Sequence, residues 1–311
     1  MQDFLNVSER DVRRQVKAFT RAEGLPICYV DSFIRWYCSV TFQLADLAKS
    51  SAISPIVGLS GCQGSGKSTV AKLMANLLNG IYGVKAVVLS LDDFYLTKSE
   101  REAIAKDIHP LFVTRGVPGT HDTALLKQTV HELRSREGPI SSPLFDKAED
   151  ERTNVEQWPR HSAPVQLILL EGWCVGVPPQ GQADLARPVN ALEAEFDAGG
   201  VWREEVNRQL AGAYADLFSL VDILLVLQAP GFHAVSDWRW EQESRLSASF
   251  EQQYPDQPDP TMSYRQLSHF VLHFQRLTEH ALKTLPKIAD HLWDLAVDRS
   301  VCSYTNLRRL V

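Results

Sequence analysis

The sequence has little of what secreted, disulfide-stapled or membrane proteins need. Its five cysteines are odd in number and scattered, and no C-x-x-C pair occurs, a usage typical of free thiols in a reducing compartment. No apolar run approaches the length of a membrane span, and the polar, charged start lacks the apolar segment of a secretory signal. We therefore expect a cytoplasmic protein with no membrane partner.

An excess of positive charge is also absent. The 311 residues carry a formal net charge of −6 at pH 7, which argues against a protein that binds nucleic acid by whole-surface attraction. Hydrophobic residues make up 44% of the chain and charged residues 23%, as in ordinary globular proteins. With no repeat or low-complexity tract, this length indicates one large α/β domain or one domain with additions.

One glycine-rich segment stands out, between an apolar β-like run at 54–60 and a helix-like run at 69–78. Strand, glycine-rich loop, Lys-Ser and helix form the layout of a phosphate-binding P-loop, or Walker A motif. Glycines let the backbone wrap a phosphate, and successive N–H groups and the positive helix N-terminus then face the anion. The alternative, a flexible Gly/Ser turn, does not require the flanking strand and helix. The expected nucleotide-binding residues are Gly61, Cys62, Gln63, Gly64, Ser65, Gly66, Lys67, Ser68 and Thr69.

Carboxylates close the next two apolar strands, 85–91 and 165–170. Asp92 and Asp93 follow the first strand, and Glu171 follows the second. Because ligands of open α/β sheets bind at the carboxyl ends of strands, one aspartate can accept a proton from an attacking hydroxyl, and the glutamate can face a metal. Locally, the Asp-Asp pair can instead cap the following helix; which aspartate is the base stays open. The expected Mg²⁺ ligands are Ser68, Glu171 and Asp92.

Two further apolar runs, 221–227 and 291–297, complete five strands. They predict the three-layer α/β fold of P-loop NTPases, with a mainly parallel five-stranded sheet and helices on both faces. Residues 1–50 indicate an N-terminal helical extension, and residues 51–311 a P-loop kinase domain. Within that domain we expect an acceptor-binding insert at about 93–160 and a lid region at about 230–260.

Basic and polar residues lie on the loops between these strands. Arg115, His121 and Asp122 fall in one turn-rich stretch and Lys147 in another polar loop, and functional groups often cluster on such loops. Asp122 can equally cap the helix that follows it. Arg239 can close over the nucleotide phosphates or pair with neighbouring glutamates on its own helix.

Two other features have a simpler structural interpretation. His269 and His273 are four apart on a predicted helix at 264–285, a spacing that can bind a metal, but no third ligand stands nearby and packing is the simpler role. Cys62 lies in the phosphate loop, where oxidation would matter, yet an ordinary loop residue explains it as well.

The combination favours phosphoryl transfer. A P-loop lysine, strand-end acids and basic loops transfer a phosphoryl group by positioning and charge neutralisation. No NKxD-type signal for guanine occurs, so ATP is favoured over GTP. The long separation between Lys67 and Glu171 leaves room for an acceptor-binding insert, which indicates a small-molecule kinase rather than a motor or a switch.

Five ordered segments match one family. They are Ser90-Leu91-Asp92-Asp93-Phe94-Tyr95-Leu96-Thr97, Arg115-Gly116…Gly119-Thr120-His121-Asp122, Phe145-Asp146-Lys147, Glu171-Gly172-Trp173 and Trp238-Arg239…Gln242-Glu243. These segments resemble D-glycerate 3-kinase of the plant, fungal and cyanobacterial type, a family similar to phosphoribulokinase, uridine kinase and bacterial pantothenate kinase. The resemblance runs from about Pro55 to Leu285 and leaves out the N-terminal helices.

The resemblance implies a role for each matching residue. Asp92 takes the place of the general base, Ser68 and Glu171 that of the Mg²⁺ ligands, and Arg239 contacts the nucleotide phosphates. An arginine among the acceptor residues suits a small carboxylate, because its fork donates two parallel hydrogen bonds. The implied catalytic residues are Asp92, Lys67 and Arg239. The implied acceptor-binding residues are Arg115, His121, Asp122 and Lys147.

One stretch departs from the family pattern. Residues 148–152 are shorter than the corresponding family segment and contain no glycine, which leaves phosphotransfer intact and bears on the acceptor. We expect an ATP- and Mg²⁺-dependent kinase that converts D-glycerate to 3-phosphoglycerate. The alternatives are a kinase for pantothenate, a nucleoside or a sugar phosphate, and a regulator that binds ATP without transferring it.

Overall fold

A central β-sheet organises the described part of the chain, which in this computed structural model comprises residues 8–255, 257, 259 and 261–307. Residues 1–7 of the predicted extension, 308–311 of the predicted kinase domain, and positions 256, 258 and 260 of the predicted lid lie outside the described residues. The strands are β1 (Ile56–Gly61), β2 (Ala86–Ser90), β3 (Gly138–Ser141), β4 (Phe145–Asp146), β5 (Glu151–Arg152), β6 (Arg160–Ala163), β7 (Leu167–Gly172), β8 (Ile223–Gln228), β9 (His291–Leu295) and β10 (Val301–Asn306).

Six of these strands form the sheet, in the order β10-β9-β8-β1-β7-β2. Five are parallel, and β10 pairs antiparallel with β9 at the edge. Every residue of β1 and β7 is buried. Helices cover both faces, which explains why these strands are apolar apart from Ser60 and Glu171 near their carboxyl ends. The five predicted strands are confirmed. The sixth, β10, was not predicted, because its residues are all exposed or half-buried and show no apolar run.

Helices cover the two faces of this sheet. The helices in the described residues are α1 (Glu9–Ala22), α2 (Tyr29–Trp36), α3 (Cys38–Ser50), α4 (Lys67–Gly80), α5 (Lys98–Asp107), α6 (Thr123–Ser135), α7 (Gln182–Leu185), α8 (Ala191–Phe196), α9 (Val201–Gln209), α10 (Ala215–Phe218), α11 (Phe232–Gln253) and α12 (Tyr264–Thr284). Within the described chain, none of them combines the length and the apolar character needed to cross a bilayer.

Alternating side chains of each strand enter two different cores. In β8, Leu225 joins the core beneath α1–α4, while Leu224 and Val226 join the core beneath α6 and α12. β7 divides in the same way, with Leu169 on the first side and Ile168 on the second. This alternation follows from the two-residue period of a strand and produces the predicted three layers.

The N-terminal helices share the first of these cores. Val16 and Phe33 are fully buried in the same cluster as Leu73 of α4. Two hydrogen bonds add to the packing: the Gln15 amide donates to Asn76 Oδ1 at 2.8 Å, and the Trp293 indole donates to the Trp36 carbonyl at 3.0 Å. The helices therefore support the helix that follows the glycine-rich loop.

The segment between β2 and β7 adds elements beyond the central sheet. Besides α6, which packs on the sheet, it contains α5 and two short antiparallel pairs, β3 with β6 and β4 with β5. Further along the chain, α9 and α10 are joined by a π-helical turn, Leu210–Tyr214, in which Gly212 leaves helical geometry with φ −107° and ψ −106°.

The histidine pair of α12 is a packing feature. His273 is buried, and its Nδ1 lies 3.1 Å from the Phe270 carbonyl, to which it donates. Its ring packs edge-on against Trp202. No group of three potential metal-ligating side chains occurs in the ranges that the structure describes. The structure thus shows packing, the simpler of the two interpretations, for His273.

Burial of His273 predicts a pH-dependent stability. Burial lowers its pKa to about 4 from 6.5, so the unfolded chain takes up this proton before the folded chain does. The contribution of neutral His273 to the free energy of unfolding is therefore fully present above pH 6.5. As the pH falls from 6.5 to 4, this contribution decreases by up to about 1.4 kcal/mol per pH unit.

Urea unfolding of the parent chain and of His273→Gln at several pH values checks this. Because other groups titrate equally in both proteins, the difference between the two slopes isolates His273. We expect the variant to lose less stability between pH 6.5 and 4, and parallel curves would contradict the assignment.

Candidate active site

The glycine-rich loop joins β1 to α4 at the carboxyl edge of the sheet. Gly64 and Gly66 have φ values of 77° and 88°, in the left-handed region that side chains rarely adopt. A Cβ on Gly64 would lie 2.5 Å from Cβ of Trp238 on α11, whereas a Cβ on Gly66 would meet no atom within 4 Å. Gly64 is thus required by packing inside the protein, and Gly66 keeps its backbone open to a bound group.

The first residues of α4 meet the end of β7. The Ser68 hydroxyl donates to Glu171 Oε1 at 2.8 Å, and Lys67 Nζ lies 3.7 Å from Glu171 Oε2. Glu171 is only 4% exposed, and its Oε2 has no hydrogen-bond partner among the described residues. A carboxylate oxygen that accepts no hydrogen bond, next to a hydroxyl oxygen, provides the oxygen ligands that suit a hard cation such as Mg²⁺.

Asp92 lies just beyond β2, next to these groups. Its Oδ1 accepts a hydrogen bond from the Tyr95 hydroxyl at 3.1 Å, and its Oδ2 accepts one from Lys147 Nζ at 2.9 Å. Burial raises the pKa of Asp92, but the positive charges of Lys147 and Lys67 outweigh burial and hold the pKa well below its usual value. Asp92 is therefore ionised at every physiological pH and sits within the field of the loop lysine.

Asp93 has a different environment. Burial raises its pKa to about 6, and its Oδ1 accepts the Phe145 N–H at 3.3 Å. The Asp93 carboxylate therefore hydrogen-bonds to the first residue of β4, whereas the Asp92 carboxylate interacts with the charges of two lysines.

The two polar loops of the insert meet around a third acid. The Arg115 guanidinium pairs with the Asp150 carboxylate and donates to the Lys147 carbonyl at 3.2 Å. Arg101, which is 1% exposed, donates to the same carboxylate at 2.9 Å. Asp150 was not predicted as a site residue. Its signal was an acid within the glycine-free stretch 148–152, where it adopts a φ of 54°.

Arg239 shows one of its two expected roles, pairing with an acid of its own helix. Its guanidinium donates to Gln242 at 2.7 Å and to Glu243 at 3.3 Å on the same helix. Burial lowers its pKa, while the charges of Glu243 and Asp92 act in the opposite direction. The side chain is thus held by its own helix and still acts electrostatically on the group at the end of β2.

Arg299, which was not predicted as a site residue, contacts the glycine-rich loop from another part of the chain. Arg299, in the turn between β9 and β10, donates from Nε to the Gly64 carbonyl at 2.8 Å and pairs with Glu241 of α11. Its guanidinium lies over the Trp238 ring, 5.4 Å from the centroid. The only sequence signal was an Asp-Arg pair after an apolar run, which is common in turns.

For the side chains of two expected site residues, the structure favours the simpler interpretation. Asp122 caps α6 by accepting the Leu125 N–H at 2.9 Å, and it lies 3.6 Å from Arg152. The helix-cap alternative is the one that the structure shows. Cys62 is buried, and burial raises its thiol pKa to about 12, so its thiolate is scarce and its reactivity low.

His121 lies among the aromatic side chains that support Asp92. It is buried, and its ring stacks on that of Tyr95 with 4.4 Å between centroids. The structure therefore places Arg115, His121 and Lys147 around the end of β2. Tyr95 lies in the family-matching segment 90–97, but no role was predicted for it. Tyr214, which contacts His121, was not recognised from the sequence, because a lone tyrosine has no distinguishing pattern.

A parallel sheet with a glycine-rich loop, a Lys-Ser pair and two strand-end acids defines a P-loop kinase. No protein-family model matches the chain. Over 228 residues, covering 70% of this chain and 78% of the relative, it is 33% identical to the uncharacterized kinase mug58 of Schizosaccharomyces pombe. The chain therefore belongs to the same family of P-loop kinases, and the predicted membership of that group is confirmed.

Two further relatives have a named activity. The chain is 29% identical over 198 residues to the chloroplastic D-glycerate 3-kinase of Arabidopsis thaliana, a match that spans 60% of this chain and less than half, 41%, of that protein. The structure of D-glycerate 3-kinase from Cryptococcus neoformans superposes with a TM-score of 0.70 at 22% identity, covering 86% of this chain and 97% of that one. The second comparison shows a common fold.

Proposed function

We propose that this kinase transfers the γ-phosphoryl group of ATP to the 3-hydroxyl of D-glycerate and releases 3-phosphoglycerate. The observation that carries the proposal is the position of Asp92, a carboxylate that pairs with Lys147 and is kept ionised by the charges of Lys147 and Lys67. These charges lower its proton affinity but leave it able to hydrogen-bond the attacking hydroxyl and to accept the proton as that oxygen bonds to phosphorus.

The residues divide the reaction between them. The loop backbone and Lys67 bind the phosphates, and Ser68 and Glu171 would hold Mg²⁺, which when bound neutralises charge on the phosphate oxygens. As the acceptor hydroxyl oxygen bonds to the γ-phosphorus, its proton passes to Asp92. The bond from that phosphorus to the bridging oxygen breaks, and ADP keeps the electron pair. Arg239, whose charge interacts with that of Asp92, would stabilise the negative charge that develops.

The acceptor is inferred from the charges around Asp92. Lys147 and Arg239 both act on the charge of Asp92. Arg115, from the other loop of the insert, donates to the backbone carbonyl of Lys147 and so lies beside this group. Asp150 neutralises part of the Arg115 charge. A small acceptor with one carboxylate beside its hydroxyl fits this arrangement better than a neutral nucleoside. The relatives named D-glycerate 3-kinase support the same choice.

An acceptor panel tests the proposal. ADP release is measured with ATP, Mg²⁺ and either D-glycerate, pantothenate, uridine or a sugar phosphate, with an acceptor-free reaction as the control. We expect turnover with D-glycerate at least about tenfold above every other acceptor, the difference of roughly 1.4 kcal/mol that one charged hydrogen bond supplies.

Each contrary result has a distinct meaning. Turnover that prefers uridine or pantothenate would retain the kinase and replace the substrate. Tight ATP binding without turnover on any acceptor would instead favour a nucleotide-binding regulator, and the family membership would then describe the fold alone.

A further inference from the structure

His121 lies one aromatic ring away from the proposed proton acceptor. Its imidazole stacks on Tyr95 with 4.4 Å between centroids, and the Tyr95 hydroxyl donates to Asp92 at 3.1 Å. The charge of Asp92 acts on the imidazole, raising its pKa against the larger effect of burial. The histidine ring therefore belongs to the side chains packed around Asp92.

The hydrogen bonds of Tyr214 determine which imidazole nitrogen carries the proton. The Tyr214 hydroxyl oxygen accepts the Gly119 N–H at 3.1 Å and lies 2.6 Å from His121 Nδ1. Tyr214 is 1% exposed, so a hydroxyl proton without an acceptor would be costly. The structure gives this hydroxyl no other acceptor within the described residues. The hydroxyl therefore donates to Nδ1, which must be unprotonated.

The other nitrogen then carries the hydrogen. Because burial lowers the pKa of His121 to about 4, the ring is neutral at pH 7 and Nε2 is an N–H donor. Nε2 is buried and has no hydrogen-bond partner among the residues that the structure describes. A fully buried donor without an acceptor is rare in folded proteins and indicates a role outside the folding of the chain.

The position of Tyr214 depends on an irregular backbone. It is the last residue of the π-helical turn Leu210–Tyr214, where Gly212 leaves helical geometry. Single π turns inside helices are rare and occur frequently at functional sites. Here the side chain so placed is the one that bonds to His121.

We propose that Tyr214 is a positioning residue that fixes His121 as its Nε2–H tautomer, and that this N–H donates a hydrogen bond to an oxygen atom of the phosphoryl acceptor. The inference rests on the proposed function for the identity of the acceptor. A neutral donor selects an oxygen and gives no charge attraction, so it complements the cations Arg115 and Lys147. Tyr214 touches no reacting atom; its hydroxyl acts on the site through His121 and also accepts the Gly119 N–H of the same loop.

The test has a spectroscopic and a kinetic arm. In the full ¹⁵N-labelled chain without ligands, two-bond proton–nitrogen spectra report the protonation of each histidine ring nitrogen, and loss of one ring pattern in His121→Gln assigns His121. We expect protonated Nε2 and unprotonated Nδ1 in the parent protein, and a mixture of tautomers in Tyr214→Phe. A parent ring protonated at Nδ1 would overturn the inference.

The kinetic arm uses Tyr214→Phe, which removes one oxygen atom. With D-glycerate as the probe, we expect KM for the acceptor to rise about tenfold, the effect of one lost hydrogen bond, while KM for ATP stays within about twofold. Tyr37→Phe is the matched control, because Tyr37 is a buried tyrosine that packs on Trp293 in the opposite core, and it should change neither constant.

The two proposals fail differently. If Tyr214→Phe keeps the parent KM for D-glycerate, or raises both KM values equally, the positioning role is wrong. If the parent protein does not phosphorylate D-glycerate, the proposed function fails. The tautomer found in the spectra still tests whether the Tyr214 hydroxyl donates to His121 Nδ1.

Discussion

Asp92→Asn should lower kcat by at least about 10², because an amide cannot accept the proton of the attacking hydroxyl and removal of a general base typically costs this much. ATP affinity should stay close to that of the parent protein, since the phosphate loop does not hydrogen-bond to Asp92. The variant should remain folded, because the Lys147 side chain that loses its partner is 61% exposed. Steady-state ADP release and calorimetric ATP titration measure the two effects.

Asp93→Asn is the matched control for this experiment. Asp93 is the adjacent carboxyl, and the hydrogen bond that it accepts from the Phe145 N–H can be kept by an asparagine oxygen. We expect less than about a tenfold loss in kcat, below the range that a lost general base produces. If instead Asp92→Asn were nearly as active as the parent and Asp93→Asn were not, the proton acceptor would be Asp93, whose pKa of about 6 would then explain the choice.

Gly64→Ala should be the most damaging single-methyl change in the phosphate loop. The φ of 77° would cost a side chain about 1–2 kcal/mol, and the added Cβ would stand 2.5 Å from Cβ and 3.2 Å from the carbonyl carbon of Trp238. Trp238 cannot easily retreat, because it is buried and its indole donates to the Val297 carbonyl at 2.6 Å. Overpacking of this kind typically adds about 1–3 kcal/mol.

Gly83→Ala separates backbone strain from the clash. Gly83 has a similar φ of 63°, but a Cβ there meets no atom within 4 Å. Urea unfolding should therefore show a loss of about 1–2 kcal/mol for Gly83→Ala and a clearly larger loss for Gly64→Ala, together with weaker ATP binding in the second variant alone. Equal losses would mean that α11 yields to the new methyl group.

The sequence could predict the features that depend on local pattern. Apolar strands covered on both faces and the glycine-rich loop have unmistakable signatures, so five strands and the position of Lys67 followed directly. The acids at the ends of β2 and β7 were also recognisable, because parallel topology brings strand ends to one edge. Ser68 and Glu171, 103 residues apart, lie 2.8 Å from each other as that topology requires.

Features that depend on contacts between distant segments could not be predicted. Asp150 matters because two arginines from separate elements meet there, and Tyr214 because an irregular turn aims it at His121. Neither has a periodicity or motif that distinguishes it from an ordinary surface acid or core tyrosine. Asp122 shows the converse, since its helix-cap pattern was visible and the cap is what formed.

The bond between Arg299 and the Gly64 carbonyl has a consequence for biosynthesis. It joins residues 235 positions apart, and contacts of such long separation form late, since a large loop must close first. A growing polypeptide can therefore build the first strands and helices of the sheet while its phosphate loop still lacks this support. We expect the loop to reach its final shape only after nearly the whole chain has been translated.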